Sequence, residues 1–368
     1  METEELSAEN IITEKTKNAF LKKIDSVKKE LRIAIESHKN ADTDGLGIMR
    51  SLQYFLLQRG INADIFGSVS HSHPQSKTMV NKLQIDLKSR EFFEENKADY
   101  GLVISCDTAS AEKAFLKDVH PDIIIDHHKE GGVIKNCLVI RKKMGAASTI
   151  VYSLLKDIGM ELPPEIATAL ALGIFVDTDS LLRIPPETEE IEVCAYDELR
   201  RIGNSVLFSK IVKYEKPRSL IELKRVAYNS VDYIGYVAII GLGETKASQE
   251  HHYGDIADEF LDVAGIKLVI VIGVEEGQKI KASTRITGDF DSVQINEFCE
   301  KIFEAGSVTD TGEEASAGSN PTAGGANIPL STREREEWEV ADENEKKVLF
   351  QIKMKRYKER IKKELDLS

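Results

Sequence analysis

The residue types able to do chemistry fall in an ordered series. His38, Asp42 and Asp44 lie in HKNADTDG, Asp107 in SCDT, Asp126, His127 and His128 in IIDHH, and Asp177 in FVDTDS. Each group comes just past an apolar run. Carboxylates brought to one sheet edge repel one another, by about 4 kcal/mol for two unit charges about 4 Å apart at an effective dielectric of about 20. Such a cluster requires raised pKa values or bound cations. Carboxylates mixed with imidazoles suit manganese, iron, cobalt or zinc better than calcium, and magnesium is a further candidate. Two ions about 3.5–4 Å apart, bridged by one carboxylate, lower the pKa of a water and hold the attacking and leaving oxygens of a phosphoryl transfer. Taken singly, an Asp-Thr-Asp is commonly a helix cap, and a His-His pair is commonly structural. Their joint occurrence, in order and at strand ends, points to a hydrolytic metal centre.

Those residues need a scaffold that collects them. Residues 12–30 have apolar positions at helical spacing, and LRIAI (31–35) reads as a strand leading into the HKNADTDG loop and a helix at 46–59. Gly45 and Gly47 are expected to permit the sharp turn into that helix. Further strands are read at 63–69, 100–105, 122–125 and 137–140, and helices at 146–158 and 164–176. Alternating strands and helices predict a parallel, doubly wound α/β sheet, which binds ligands at the carboxyl ends of its strands. From Val231 the composition changes. VDYIGYVAIIGLG, IKLVIVIGV and KIKASTRI read as strands, with helices at 254–264 and near 291–303, giving a second, smaller α/β unit. The Gly-, Ser- and Thr-rich stretch 304–331 reads mostly as loop. The charged tail reads as one long helix.

The order H-x-x-x-D-x-D-G, D-T, D-H-H, D-T resembles the DHH phosphoesterase superfamily, which includes RecJ-type exonucleases, nano-RNases and phosphoadenosine-phosphate phosphatases, cyclic-dinucleotide phosphodiesterases and family II pyrophosphatases. GAASTIVYSLL (145–155), KASTRI (281–286) and GSNPTAGGA (318–326) are similar to further segments of that family, so the resemblance spans roughly residues 30–330. It implies a parallel-sheet catalytic domain with helices on both faces, a smaller associated domain, and a metal site in the cleft between them. The implied divisions are an N-terminal helical segment (1–30), the metal-binding domain (31–200), a helical connector (201–230), the substrate-binding domain (231–330) and the tail (331–368). It further implies that His38, Asp42 and Asp107 hold one metal, and that Asp44, Asp107, His127 and Asp177 hold a second, with Asp107 bridging. His128 would face the phosphate, and Asp126 would orient an imidazole from behind. In the second domain Arg285 would grip a terminal phosphate beside Ser283, and Gly318, Gly324 and Gly325 would present backbone N–H groups.

Two positions depart from the family pattern. Asn320 stands where the family has a loop histidine, and an amide carries neither charge nor a transferable proton. Asp179-Ser180-Leu181-Leu182-Arg183 replaces Gly-x-Phe-Arg, leaving Arg183 as the arginine without the Phe. The resemblance implies a two-metal hydrolase of small nucleotides: short oligonucleotides, 3′,5′-bisphosphorylated adenosine or a cyclic dinucleotide. Two divalent ions would serve it, manganese first, with magnesium or cobalt as substitutes. Two alternatives are an inorganic pyrophosphatase and a catalytically silent nucleotide-binding scaffold.

Composition bounds the rest. With 49 Lys and Arg against 62 Asp and Glu, the 368-residue chain carries a net charge of −13. That disfavours a basic nucleic-acid coat while leaving room for a local basic groove, and it favours nucleotides or short single strands as partners over long polymers. No apolar run reaches the roughly 20 residues of a membrane span, and the acidic start METEELSAEN does not resemble a signal peptide. Four cysteines without CxxC spacing read as reduced thiols of a cytoplasmic protein. A homodimer through the tail is a further expectation. No phosphate-binding GxxxxGK[ST] loop and no GxSxG elbow occurs. His71, His73, His251 and His252 are given no role.

Overall fold

The computed structural model describes residues 11–70, 72–108, 113–128, 134–249, 251–288, 294–319 and 322–367. The chain divides into two compact units, Met1–Glu215 and Lys216–Ser368.

In the first unit, α1 (Glu14–Asp25) leads to β1 (Arg32–Glu36), α2 (Thr43–Gln58), β2 (Ala63–Phe66), α3 (Pro74–Leu83), β3 (Leu87–Lys88) and α4 (Arg90–Glu95). Then come β4 (Tyr100–Cys106), β5 (Ile123–Asp126), β6 (Leu138–Arg141), α5 (Ala147–Asp157), α6 (Pro164–Asp177), α7 (Glu189–Ile202) and α8 (Ser205–Val212). The sheet order is β3-β2-β1-β4-β5-β6, and every pair is parallel. From β1 the chain runs outward to β3, returns to β4 beside β1, and runs outward the other way to β6. The order therefore reverses between β1 and β4, and a crevice opens there beyond the strand ends. The strands are continuous apolar runs because both faces are covered. Ile33, Ile35, Ile104 and Ile125 pack into one core with α2, α5 and α6, while Ala34 and Val103 face Phe66, Phe93 and Leu116.

Two glycines let α2 and α6 approach closely. A Cβ on Gly47 would stand 2.7 Å from the Ala169 carbonyl oxygen, and one on Gly173 would stand 2.6 Å from Asp44 Oδ1. Neither they nor Gly45 has a positive φ. The expectation that Gly45 and Gly47 serve a sharp turn is thus corrected: their missing side chains serve packing.

The second unit contains α9 (Arg218–Ser230), β7 (Asp232–Ile234), β8 (Val237–Thr245), α10 (His252–Leu261), β9 (Leu268–Glu275) and β10 (Lys279–Ile286). It continues with α11 (Ile295–Ile302), β11 (Ser316–Ser319), β12 (Ala323–Pro329), α12 (Thr332–Val340) and α13 (Glu343–Glu364). Its sheet runs β11-β12-β10-β9-β8-β7, with β8 and β9 parallel and the other pairs antiparallel. One face packs on Phe298, Trp338, Phe350 and Met354, the other on Leu220, Tyr253 and Phe260.

Two readings change and one gains detail. Residues 304–331, read mostly as loop, hold two short strands, in which small residues of β12 ladder against β10 and those of β11 against β12. The tail is two helices, since Asp342 breaks the run and caps α13 through a reciprocal capping box with Glu345. Segment 201–230 divides between the units, with Phe208 and Ile211 of α8 in the first core and α9 in the second. Among the described residues no helix is long and apolar enough to cross a membrane.

The close approach of α2 and α6 can be tested. Gly47→Ala gains up to about 1 kcal/mol of helix propensity, but forces backbone apart at a cost of about 1–3 kcal/mol. A lowered urea midpoint is expected, and a raised one would contradict the packing described.

Candidate metal centre

The crevice between β1 and β4 collects the acidic and histidine motifs. His38 leaves β1 on a loop pinned from the side: His38 bridges to Ala114, Lys39 N–H donates to the Lys113 carbonyl, and Phe115 N–H donates to the Ser37 carbonyl. Buried Glu36 accepts from Leu116 N–H at 2.7 Å. Asp42 is the N-cap of α2, its Oδ1 accepting from Asp44 N–H and Gly45 N–H at 3.0 Å each. Its Oδ2 lies 3.5 Å from His38 Nε2.

Asp44, one residue into the helix, is fully buried and points at α5. It accepts from Ala147 N–H at 2.8 Å and Ser148 N–H at 2.9 Å, the first free donors of that helix. Asp107 follows β4 with φ +47°, a left-handed conformation that Asp tolerates better than most residues. Its carboxylate faces two ways. Oδ2 is 3.7 Å from His38 Nε2, and Oδ1 is 3.3 Å from His127 Nε2 and 3.6 Å from His128 Nδ1. Oδ1 is buried and without a hydrogen-bond partner among the described residues.

The two histidines after β5 are held differently. His127 Nδ1 donates to the Met144 carbonyl at 3.0 Å, which leaves Nε2 toward Asp107 and, at 3.2 Å, Asp177 Oδ2. His128 Nδ1 donates to Asp126 Oδ1 at 2.8 Å, and Asp126 Oδ2 accepts from Arg141 Nε at 2.9 Å. Asp126 is fully buried and orients His128, not His127. Asp177 is the last residue of α6, the helix read at 164–176, so it arrives from a helix end while the motifs before it follow strands.

These donors form three overlapping sets, each with ligand atoms within 4.8 Å of one another: His38, Asp42 and Asp107; Asp44, His127 and Asp177; Asp107, His127 and His128. The donor types suit a transition ion, and the orphaned Asp107 Oδ1 gives it a place. Without a cation the site holds protons. Burial, then the Asp107 charge, pushes Asp44 up to about 7. Burial and the charges of Asp44 and Asp42 hold Asp177 well above the carboxylate range. Burial would lower His127, but Asp107, Asp44 and Asp177 hold it at about 11.

A pocket of about 460 Å³ opens over the centre, with Lys39, Asn40 and Lys113 joining the metal-directed residues in its lining. The sequence reading passed over these three. Lys39 and Asn40 stand inside the first motif, whereas Lys113 is brought there only by the tertiary pairing at Ala114. Also unread were Met144, Arg141 and buried Glu192, which accepts from Gly145 N–H at 2.5 Å and so fixes the turn carrying the Met144 carbonyl.

The remaining predicted residues are not part of that pocket's lining. Arg183 is exposed and paired with Asp179 at 3.2 Å, after Asp179, Ser180 and Leu181 all at positive φ. Arg285 Nε donates to Asp258 at 2.7 Å and Nη1 to Ser283 Oγ at 3.1 Å. Gly324 and Gly325 pair with Thr284 and Ser283 within a ladder, and Gly318 pairs with Gly325, so they are strand residues and not an open cradle of N–H groups. Asn320 lies outside the described residues.

Comparison with known proteins places this geometry. Residues 32–174 match the DHH family, N-terminal domain. The chain carries a DHH-family N-terminal domain, whose match takes in the crevice motifs from His38 to His128, while Asp177 lies just past its end. The chain is 26% identical over 303 residues to the uncharacterized protein MJ1633 of Methanocaldococcus jannaschii, covering 82% of this chain and 59% of that protein. It is 27% identical over 177 residues to a probable manganese-dependent inorganic pyrophosphatase of Streptococcus thermophilus, covering 47% and 56%. It thus spans somewhat over half the length of these curated relatives. An exopolyphosphatase-related protein from Bacteroides fragilis shares the fold, with a TM-score of 0.66 at 15% identity over 95% of this chain and all of that one.

Metal binding must displace the protons on Asp44, Asp177 and His127. Affinity for Mn2+ is therefore expected to rise from about pH 6 to about pH 8, with less proton release at the higher pH because Asp44 is then already ionised. Calorimetry in buffers of different ionisation enthalpy measures this, and a buffer-independent heat at both pH values would contradict it.

Proposed function

We propose that this chain is a metal-dependent phosphoesterase that hydrolyses phosphodiester or phosphomonoester bonds of small nucleotides. The observation that carries this reading is the set of overlapping donor groups meeting on Asp107 and His127 beneath a pocket rimmed by Lys39 and Lys113. In this reading His38, Asp42 and Asp107 take one divalent ion, and Asp44, Asp107, His127 and Asp177 a second. The two faces of the Asp107 carboxylate support its bridging role. Manganese is the first choice, supported by the imidazole-carboxylate donors and by the manganese dependence named for the pyrophosphatase relatives. When bound, such ions lower the pKa of a water and neutralise charge on the phosphate oxygens.

The chain's own residues do the rest. Lys39 and Lys113 draw the phosphate into an otherwise acidic pocket. His128, with Nδ1 tied to Asp126, keeps Nε2 free to hydrogen-bond or protonate the leaving oxygen. The Asp126–Arg141 pair fixes that ring's orientation. In the second unit, Arg285 with Ser283 is assigned to a more distant phosphate. The substrate class is a nucleotide or short single-stranded nucleic acid, with short oligonucleotides, 3′,5′-bisphosphorylated adenosine and cyclic dinucleotides as candidates. A pyrophosphatase reading is weaker, because likenesses to such proteins cover 47% and 62% of the chain, against 82% for the MJ1633 likeness.

A panel with Mn2+ tests the reading: cyclic di-AMP, linear diadenylate, bisphosphorylated adenosine, 5′-phosphorylated single strands and pyrophosphate. Turnover of at least one nucleotide is expected. Cleavage of pyrophosphate alone would overturn it, and tight Mn2+ binding without any turnover would favour a silent scaffold.

The role of Asp126 gives a separate test. Asp126→Asn should lower kcat about 10–100-fold, as loss of an orienting partner usually does, while Mn2+ content by atomic absorption stays unchanged. Parallel loss of metal and rate would instead make Asp126 a support of the metal site.

A further inference from the structure

The second unit contains a cavity of about 730 Å³, lined entirely by its own residues. Its floor is apolar: Trp338 of α12 with Phe350 and Met354 of α13, all nearly buried on one face of the sheet. Gly241 makes this possible, since a Cβ there would stand 2.9 Å from the Phe350 ring. One wall is an open strand edge. β7 pairs with β8 only as far as Ile239. Beyond it, among the described residues, β8 has β9 on one side and no strand on the other. The register shifts between Gly241 and Glu244, and Gly243 has φ +73°, so backbone polar groups are turned out of the regular ladder there.

The opposite wall is predominantly cationic, with five lysines in a lining that also holds Glu244, Glu343 and Glu359. Lys355, Lys358 and Lys362 stand three and four residues apart on α13, hence on one face, and Lys347 lies two turns earlier. Lys358 is paired with Asp232. Lys347, Lys355 and Lys362 form no ion pair within the described residues. Lys355 to Lys362 spans about 10 Å of helix.

An apolar floor, an open peptide edge and a row of unpaired cations match the parts of an unstacked nucleotide: flat base faces, a hydrogen-bonding base edge and anionic phosphates. We infer that this cavity is a second nucleic-acid site, which seats bases of a single-stranded oligonucleotide against the floor and β8 edge while Lys347, Lys355 and Lys362 take its phosphates. This rests on the proposed nucleotide chemistry and adds to it a binding site that shares no residue with the metal-directed pocket.

The chain's single tryptophan, Trp338, stands in the cavity wall with its Nε1–H donating to Glu244 Oε1 at 3.0 Å, so its fluorescence reports occupancy. The full chain is titrated in EDTA with oligothymidylate of about ten nucleotides, and separately with polyglutamate. A saturable change is expected with the oligonucleotide. Its affinity should fall with salt on a log–log slope of about −2, from about 0.7 per phosphate contact at three lysines. Lys355→Glu/Lys362→Glu should weaken it at least about tenfold, with Lys355→Gln/Lys362→Gln as a milder pair should the charge reversal disturb folding. Both pairs should keep wild-type Mn2+-dependent hydrolysis of bis(p-nitrophenyl) phosphate. No change in Trp338 emission, or unaltered affinity in both pairs, overturns the inference. A response to polyglutamate alone assigns the cavity to an acidic polypeptide and likewise overturns it. If Trp338 responds as expected while no phosphate ester is hydrolysed by the unsubstituted chain, the second site stands and the proposed activity falls.

Discussion

Mutual repulsion among Asp42, Asp44, Asp107 and Asp177 is the constraint on which the first unit turns. These carboxylates face one crevice, and two of them are so far desolvated that they hold protons in the absence of a cation. A fold does not gather such groups for stability, since each buried charge costs several kcal/mol unless compensated. The surrounding structure supplies what compensation the backbone can give: two N–H groups of α5 for Asp44, and two of α2 for Asp42. Asp107 receives none at Oδ1. The shortfall is centred on the carboxylate that touches both groups of donors.

The geometry that imposes this repulsion comes from topology and from small residues. The reversal of strand order between β1 and β4 places the His38–Asp44 loop and Asp107 side by side. Asp177 reaches the same place only because Gly47 and Gly173 allow α6 to lie against α2. A methyl group on Gly47 would press on the α6 backbone without touching a ligand, whereas one on Gly173 would press on Asp44 itself.

Much of this was legible in the sequence because the parallel strands are continuous apolar runs and the motifs follow them directly. The β1, β4 and β5 readings agree with the structure to within one or two residues. What was illegible depends on contacts between distant segments. Lys113 reaches the pocket through backbone pairing with the His38 loop. The different holds on His127 and His128 come from the Met144 carbonyl and from Asp126 with Arg141, neither of which spacing reveals. Gly318, Gly324 and Gly325 looked like loop because small residues carry no periodicity; Gly324 and Gly325 form a strand because β10 offers a ladder to join, and Gly318 pairs in turn with Gly325. Asp342 ended a helix whose charge pattern continued unbroken on both sides, since a capping box outweighs pattern locally.

Charge distribution bears on how an acidic chain could address the anions proposed as its substrates. The net charge of −13 describes the molecule at distance, where it opposes a polyanion. Within the crevice the acidic groups are those that a divalent cation would neutralise, and Lys39 and Lys113 then dominate the local field. Screening by salt shortens the reach of the bulk charge to roughly 10 Å, so discrimination falls to these local groups. A short anion meets the lysines before it meets the bulk of the negative surface, whereas a long one must lie along both. The preference for small substrates that we propose would follow from that difference in the length of contact and would need no steric barrier.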